Sequence, residues 1–217
     1  MDKYERERGQ MVRDQIERRG LHERRLLTAF ETVPRHLFVP EEYRYAAYED
    51  GPLPIGFGQT ISQPYIVALM TDFLSLKGNE RVLEVGTGSG YQAAILGMLV
   101  EEVHTIEFIP ELATRADNLL KELGMDNVHV HFGDGSLGWP ELAPYQGILV
   151  AAAAPQVPKA LLDQLEDGGR LVLPVGSRGM QILEIWERNG DKFDSKTETA
   201  VAFVPLRGEQ GWDQKKW

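Results

Sequence analysis

Arg81-Val82-Leu83-Glu84-Val85-Gly86-Thr87-Gly88-Ser89-Gly90-Tyr91-Gln92-Ala93-Ala94 is the stretch that decides the fold of this chain. An apolar run with an acid near its end leads into three glycines at alternate positions, and an apolar helical pattern follows. That order predicts strand, tight turn, helix. Glycine suits the turn because a backbone without Cβ reaches positive φ and can lie against a ligand. The helix start behind it offers unpaired N–H groups and the positive end of a dipole. A nucleotide-like guest is expected.

Two ligand classes use such a turn. The dinucleotide fingerprint wants a small residue three positions after its second glycine, where helix packs closely on strand. Here that position holds the bulky Tyr91. The pattern Glu84-x-Gly86-x-Gly88-x-Gly90 instead resembles the first motif of the S-adenosylmethionine-dependent methyltransferases with a Rossmann-like fold. A lone glycine run is also compatible with a ligand-free connection, so the flanking sequence has to decide.

On the C-terminal side, Val103-His104-Thr105-Ile106-Glu107 reads as a second strand ending in a carboxylate. A helix from Pro110 carries Leu112, Ala116, Leu119, Leu120 and Leu123 in register and closes at Gly124. Val128–Phe132 alternates as a strand into Gly133-Asp134-Gly135, and Gly147–Val150 is a fourth strand. A helix over 158–166 is expected to end at Gly168-Gly169, before a fifth strand at 170–175. Residues 181–188 and 197–205 have no helix between them and read as a terminal antiparallel hairpin.

On the N-terminal side, 4–19 and 23–33 read as helices, the second ended by Pro34. Tyr43, Tyr45 and Tyr48 follow, read as packing or cleft wall. In 51–64, Gly51, Gly56 and Gly58 with Pro52, Pro54 and Pro64 forbid a continuous helix or a central strand. This loop nonetheless carries Leu53, Ile55, Phe57 and Ile61, which points to packing beside a ligand pocket. A helix then starts at Pro64, with Ile66, Leu69, Met70, Phe73 and Leu74 at helical spacing. The expected class is α/β: a Rossmann-like, doubly wound, mostly parallel sheet of about seven strands with a terminal antiparallel hairpin. One methyltransferase-type domain is expected over 1–217, with 1–60 as helical extension and substrate loop and 61–217 as core.

Composition narrows the partners. The 217 residues carry 23 Lys+Arg against 33 Asp+Glu, and the net charge of −10 disfavours a phosphate backbone as partner. Over 1–25 the two signs are interspersed, as on a solvated helix face. There is no cysteine, which removes disulfides and thiolate metal sites. The N-terminus lacks an apolar signal core, and no segment reaches the ~20 apolar residues of a membrane span. A soluble, cytoplasmic protein is the expectation.

Three strand ends supply the candidate cofactor contacts. Glu107 lies about 20 residues after Gly86, where this architecture places the group that accepts from a ribose diol. Asp134, flanked by Gly133 and Gly135, is suited to accept from the exocyclic amine of adenine; an Asx turn is the alternative. Glu84, Glu107 and Asp134 together would suit a sulfonium cation and repel a pyrophosphate. S-Adenosylmethionine is therefore preferred over a dinucleotide.

The chain closely resembles protein-L-isoaspartate O-methyltransferase over about residues 10 to 212. The likeness is carried by Pro54-Ile55-Gly56-Phe57-Gly58-Gln59-Thr60-Ile61-Ser62-Gln63-Pro64, the glycine turn, Ala152-Ala153-Ala154-Pro155 and Phe203-Val204-Pro205-Leu206. It implies methyl transfer from S-adenosylmethionine to the free α-carboxyl of an isoaspartyl residue, with later cyclisation to a succinimide. It implies that Ser62 contacts the substrate carboxylate, and that Pro54, Ile55, Val204, Pro205 and Leu206 hold an extended substrate backbone. For the cofactor it implies Gln59, Thr60, Ile61, Glu84, Gly86, Thr87, Gly88, Ser89, Gly90, Glu107, Phe108, Gly133, Asp134 and Gly135. The implied partners are isoaspartyl proteins and peptides, met by a monomer, with no metal. Gln146, Ala151 and Phe57 depart from the family pattern, where an acid, a threonine and a tyrosine or histidine are usual.

The chemistry is coherent with those residues. A carboxylate with a pKa near ~4 is already ionised at neutral pH, so alignment and exclusion of water matter more than a general base. A hydroxyl such as Ser62 can orient the nucleophile without neutralising it, although a serine ahead of Pro64 also suits helix capping. His129 and His131 share one side of a strand and read as sheet surface, and Ser89 lacks the Gly-x-Ser-x-Gly context of a nucleophile elbow. A methyltransferase of another carboxylate or small molecule, and a non-catalytic binding module, are the alternatives.

Overall fold

A computed structural model describes residues 3–213; Met1, Asp2 and 214–217, which the expected 1–217 domain includes, lie outside the described residues. Within them, 81–94 forms the expected strand, glycine turn and helix. In chain order the elements are α1 (Lys3–Met11), α2 (Arg24–Thr32), β1 (Leu53–Gly56), β2 (Gln59–Ile61), α3 (Pro64–Phe73), β3 (Arg81–Val85) and α4 (Tyr91–Gly97). There follow β4 (Glu102–Glu107), α5 (Pro110–Glu122), β5 (Val128–Phe132), β6 (Tyr145–Val150), α6 (Lys159–Asp163), β7 (Leu165–Ser177), β8 (Met180–Asn189) and β9 (Lys192–Val201). The first expected helix, 4–19, changes character at Met11: 12–16 is a π-helical turn and 17–19 a 3-10 turn that ends on Gly20 at φ 95°.

Seven strands form one sheet in the order β5-β4-β3-β6-β7-β8-β9. The pairs from β5 to β7 are parallel, and β8 and β9 are added antiparallel at one edge. The chain leaves β3 in both directions, to β4 on one side and β6 on the other. Such a reversal opens a crevice at the carboxyl ends of the strands. Alternate side chains feed two cores: Val82, Val103, Leu149 and Val172 pack with the N-terminal helices, α3, α4 and α5, while Leu83, Ile106, Ile148 and Leu171 pack with Leu161 of α6. Burial on both faces explains why these strands read as continuous apolar runs.

The N-terminal extension accounts for Tyr91. That side chain is 1% exposed and receives the edges of Phe30 and Phe38. A large residue at this position is tolerated because the extension gives its ring somewhere to go. Gly90 just before it has φ 89°, and a Cβ there would lie 3.3 Å from Ala116 of α5.

Three expectations need correction. The loop 51–64 contains the small antiparallel ribbon β1–β2, separate from the main sheet. Gly56, Phe57 and Gly58 at its tip all have positive φ (93°, 54°, 71°), which lets two short strands join through residues unfit for a central strand. The helix over 158–166 is only five residues long: Leu165 already pairs with Tyr145, and Gly168-Gly169 sits in an irregularity inside β7. A Cβ at Gly169 would be 2.9 Å from two carbonyl oxygens, so the glycine marks a bulge rather than a helix end. The last strand runs 192–201, not 197–205. Buried Gln181 draws the chain off the sheet at Phe203, accepting from its N–H (2.7 Å) and donating to its carbonyl (3.1 Å).

Candidate active site

The carboxyl ends of β3, β4 and β6 open on a cavity of about 880 Å³. Its wall includes Gln59 to Ser62 from β2 and the segment after it, Glu84 and Gly86 to Ser89 from the glycine turn, Glu107 and Phe108, Gly135, and Val204 to Leu206. Of the residues singled out in the sequence, Pro54, Ile55, Gly90, Gly133 and Asp134 do not line it. Ile55 is fully buried, and its carbonyl accepts from Arg115 of α5 (2.6 Å), so this part of the ribbon anchors the wall from behind.

Glu107 is held by two backbone donors. One oxygen accepts from Gly88 N (2.7 Å) and the other from Ile109 N (2.9 Å). Each carboxylate oxygen keeps acceptor capacity for a further donor, such as a diol. Because the Gly88 bond ties β4 to the glycine turn, the carboxylate also fixes the turn it faces. Gly86 has φ 95° and Gly88 φ 54°, conformations that favour glycine. Gly135 is constrained by space instead: a Cβ there would lie 2.6 Å from Val85 Cγ1.

Glu84 is fully buried. Its Oε2 accepts from the Thr105 hydroxyl (2.5 Å), which also contacts the Thr87 hydroxyl (2.6 Å), and its Oε1 has no partner. Burial pushes the carboxyl up to about 8, opposed by the Thr105 hydrogen bond and assisted by the Glu107 charge. At neutral pH it is mostly protonated. Asp134 is turned away: one oxygen accepts from the Ser136 N–H (2.9 Å) and hydroxyl (2.7 Å), the other from Glu209 N (2.8 Å). The expected triple-acid lining is thus a correction in part: Glu84 and Glu107 are on the wall, while Asp134 is not and spends its oxygens on Ser136 and Glu209. Arg207 adds a cation to the wall.

Ser62 lies at a junction. A second cavity, of about 900 Å³, is lined by Pro52, Thr60, Ser62, Ile66 and 200–204, and it shares Thr60, Ser62, Ala151, Phe203 and Val204 with the first. Gln63, not Ser62, occupies the cap position of α3 and makes no side-chain cap. Among the described residues the Ser62 hydroxyl has no hydrogen-bond partner. The 203–206 segment is fixed opposite it by Ala153 N to Val204 O and Leu206 N to Ala153 O, both 2.8 Å.

Several wall residues were not named as site residues from the sequence. Val67, Met70, Tyr91, Gln92, Ile106, Ile109, Ala152, Phe203 and Arg207 line the first cavity. Tyr91, Gln92, Ala152 and Phe203 fall in stretches singled out in the sequence, whereas Val67 and Met70 sit in an apolar helix and Arg207 has no local feature that marks it. Of the departures from the family pattern, Gln146 bridges Arg81 N (2.7 Å) and Glu166, Ala151 lines both cavities, and Phe57 is 53% exposed at the ribbon tip. His131 contacts His104 (3.0 Å), which stacks on His129, and among the described residues no group of three or more His, Cys, Asp or Glu could hold a metal ion.

The residues fit an adenosyl sulfonium compound in three respects: a buried acid with an orphan oxygen, an acid held ready by the turn, and glycines that leave room for a ligand. Comparison with known proteins agrees. The family model described as protein-L-isoaspartate(D-aspartate) O-methyltransferase matches residues 6–211. A protein-L-isoaspartate O-methyltransferase 2 of Marinobacter nauticus is 56% identical over 93% of each chain. A protein-L-isoaspartate O-methyltransferase of Methanospirillum hungatei is 54% identical over 97% of each. Among solved structures, a protein-L-isoaspartate O-methyltransferase superposes with TM-score 0.87 at 27% identity, covering 94% of this chain and 67% of that one. A Plasmodium falciparum structure of that description, in complex with S-adenosyl-L-homocysteine, has TM-score 0.80 at 24% identity over 92% of this chain and 98% of that one.

Proposed function

The chain belongs to the protein-L-isoaspartate(D-aspartate) O-methyltransferase family, and from that premise we propose how its residues divide the work. The activity is transfer of the S-adenosylmethionine methyl to the free α-carboxyl of L-isoaspartyl residues in proteins and peptides. When bound, S-adenosylmethionine supplies an electrophilic methyl: the carboxylate oxygen bonds to its carbon while the carbon–sulfur bond breaks with its electron pair left on sulfur. No proton has to move.

In this reading the first cavity holds the donor and the second admits the isoaspartyl chain. Glu107 takes the ribose hydroxyls, the turn from Gly86 to Gly90 and the acid Glu84 border the methionyl part, and Phe108 with Gly135 borders the base. Gln59, Thr60 and Ile61 close the cavity from the ribbon side. Ser62 donates its hydroxyl to the incoming carboxylate and aims one oxygen at the methyl. Val204, Pro205 and Leu206 support the substrate backbone, while Pro54 and Ile55 act by anchoring the ribbon. Asp134 with Gly133 acts by ordering 207–210. Residues 1–60 form the extension and substrate loop of one functional unit with 61–217.

One observation carries the reading: the two cavities share the Ser62 wall, and its hydroxyl is uncommitted. Alignment of oxygen, carbon and sulfur in a shielded site is the largest service such a reaction needs. The test is methyl-labelled donor with matched isoaspartyl and aspartyl peptides. Label on the isoaspartyl peptide alone is expected; equal labelling of both would refute the assignment. The same reading takes the enzyme as a cytoplasmic monomer without nucleic-acid or membrane partners, and light scattering on the eluted protein tests the monomer.

A further inference from the structure

Arg35 is fully buried in the 3-10 turn Arg35–Phe38 of the extension. Its Nε donates to Ala47 O (2.8 Å), and one terminal nitrogen donates to Ser62 O (2.8 Å) with a longer contact to Gly51 O (3.5 Å). The other terminal nitrogen is buried without a partner. Among the described residues no carboxylate pairs with this guanidinium; the groups that act on it are Tyr91 and Tyr48. It lies over the Tyr91 ring, 4.9 Å from the centroid, and Tyr91 lines the first cavity. Burial lowers the guanidinium to about 10, which leaves it charged at neutral pH.

A buried cation without a counter-ion is costly, and removing its remaining contacts would cost more. The carbonyls that receive it come from the 47–51 turn and from Ser62, one of the five residues the two cavities share. We propose that Arg35 is a positioning residue for the methyl-accepting site: its fork clamps the Ser62 backbone, and its unpaired charge lends the junction a positive potential that retains an anionic nucleophile. The inference rests on the reading that the isoaspartyl carboxylate docks at Ser62.

The two contributions act on different constants. Negative charge on the carboxylate is greatest before attack and declines as its oxygen bonds to carbon. A nearby cation therefore favours the bound substrate over the transition state and acts on KM more than on kcat. The clamp acts on alignment, and so on kcat.

Arg35→Gln, Arg35→Lys, Ser62→Ala and the Arg35→Gln/Ser62→Ala pair separate these effects, assayed with an isoaspartyl peptide at saturating S-adenosylmethionine. Arg35→Gln is expected to raise KM about tenfold and lower kcat about threefold, with the Kd for S-adenosylhomocysteine changed by less than about threefold in calorimetry. Arg35→Lys restores most of KM but not kcat. In the pair the losses do not multiply, because both substitutions act on one group. An unmoved KM in an Arg35→Gln variant that binds S-adenosylhomocysteine normally, or losses that multiply, overturns the proposal while Ser62→Ala alone still shows its loss. Unchanged kinetics in Ser62→Ala instead removes the Ser62 reading and this proposal with it. Should Arg35→Gln fail to fold, Arg35→Lys carries the same cycle: a kcat loss that does not multiply with Ser62→Ala supports the clamp, and an absent or multiplying loss overturns it.

Discussion

Single side chains at this site act through what their neighbours leave free. The Ser62 hydroxyl caps nothing and pairs with nothing among the described residues, so its removal leaves the fold intact. Ser62→Ala should lower kcat/KM by about 10- to 100-fold, the effect of about 1–3 kcal/mol from one substrate hydrogen bond; unchanged steady-state kinetics would retire it. Glu107 does two jobs, holding Gly88 and Ile109 as well as facing the cavity. Glu107→Ala should weaken S-adenosylhomocysteine binding by about 10-fold or more in calorimetry and move peptide KM less. The reverse order would show that the ribose role is misassigned. Glu84 gives a pH prediction. Its carboxyl is raised from 4.5 to about 8 by burial, so the folded protein holds a proton that the unfolded chain has released. Stability from this group is full below the unfolded value, declines as pH rises between the two, and is lost above the folded value. The Tm of the parent protein should therefore fall relative to that of Glu84→Gln between about pH 5 and about pH 9. Parallel Tm curves would mean that Glu84 ionises freely.

At the scale of elements, strand–turn–helix order was legible because strand period, glycine position and cap residues agree with one another over 81–135. The placement of Glu84 and Glu107 on the cavity wall followed, since by count alone they fall at or next to the ends of β3 and β4. What could not be read was set by distant contacts. The helix expected at 158–166 was cut short because Leu165 pairs with Tyr145 across the sheet, and apolar residues in a short run do not say which partner they will find. Asp134 looked like a ligand because it stands between glycines, yet Glu209 N, far along the chain, claims one of its oxygens. Arg207, Val67 and Met70 had nothing local to distinguish them. The same dependence on contact governs Gly135, which packs against β3 although its own turn does not demand glycine. Gly135→Ala brings Cβ to 2.6 Å from Val85 Cγ1 and should cost about 1–3 kcal/mol in denaturant unfolding. Adding Val85→Ala should recover part of that loss relative to Val85→Ala alone, since the clash is with the deleted methyl. Full additivity of the two losses would place the cause elsewhere.

For the whole molecule, the net charge of −10 sets a problem that the site must solve. The substrate group is an anion, and a protein of this charge slows the approach of anionic peptides while drawing cationic ones. A Debye length of about 10 Å at 0.1 M salt screens the surface field but leaves a direct hydrogen-bonded contact in the half-buried junction much less affected. Capture and chemistry should therefore respond differently to ionic strength. With two isoaspartyl peptides of equal length, one otherwise acidic and one otherwise basic, raising salt from about 20 to about 200 mM should raise kcat/KM for the acidic peptide and lower it for the basic one, each by about two- to fivefold. The kcat at saturation should stay level for both, because in the proposed arrangement the bound carboxylate meets the Ser62 hydroxyl, with Arg35 behind it, rather than the outer surface. Equal responses of the two peptides would show that surface charge does not govern encounter. A salt-dependent kcat would show that the junction is open to screening ions and that the reacting groups are not shielded as the two-cavity arrangement requires.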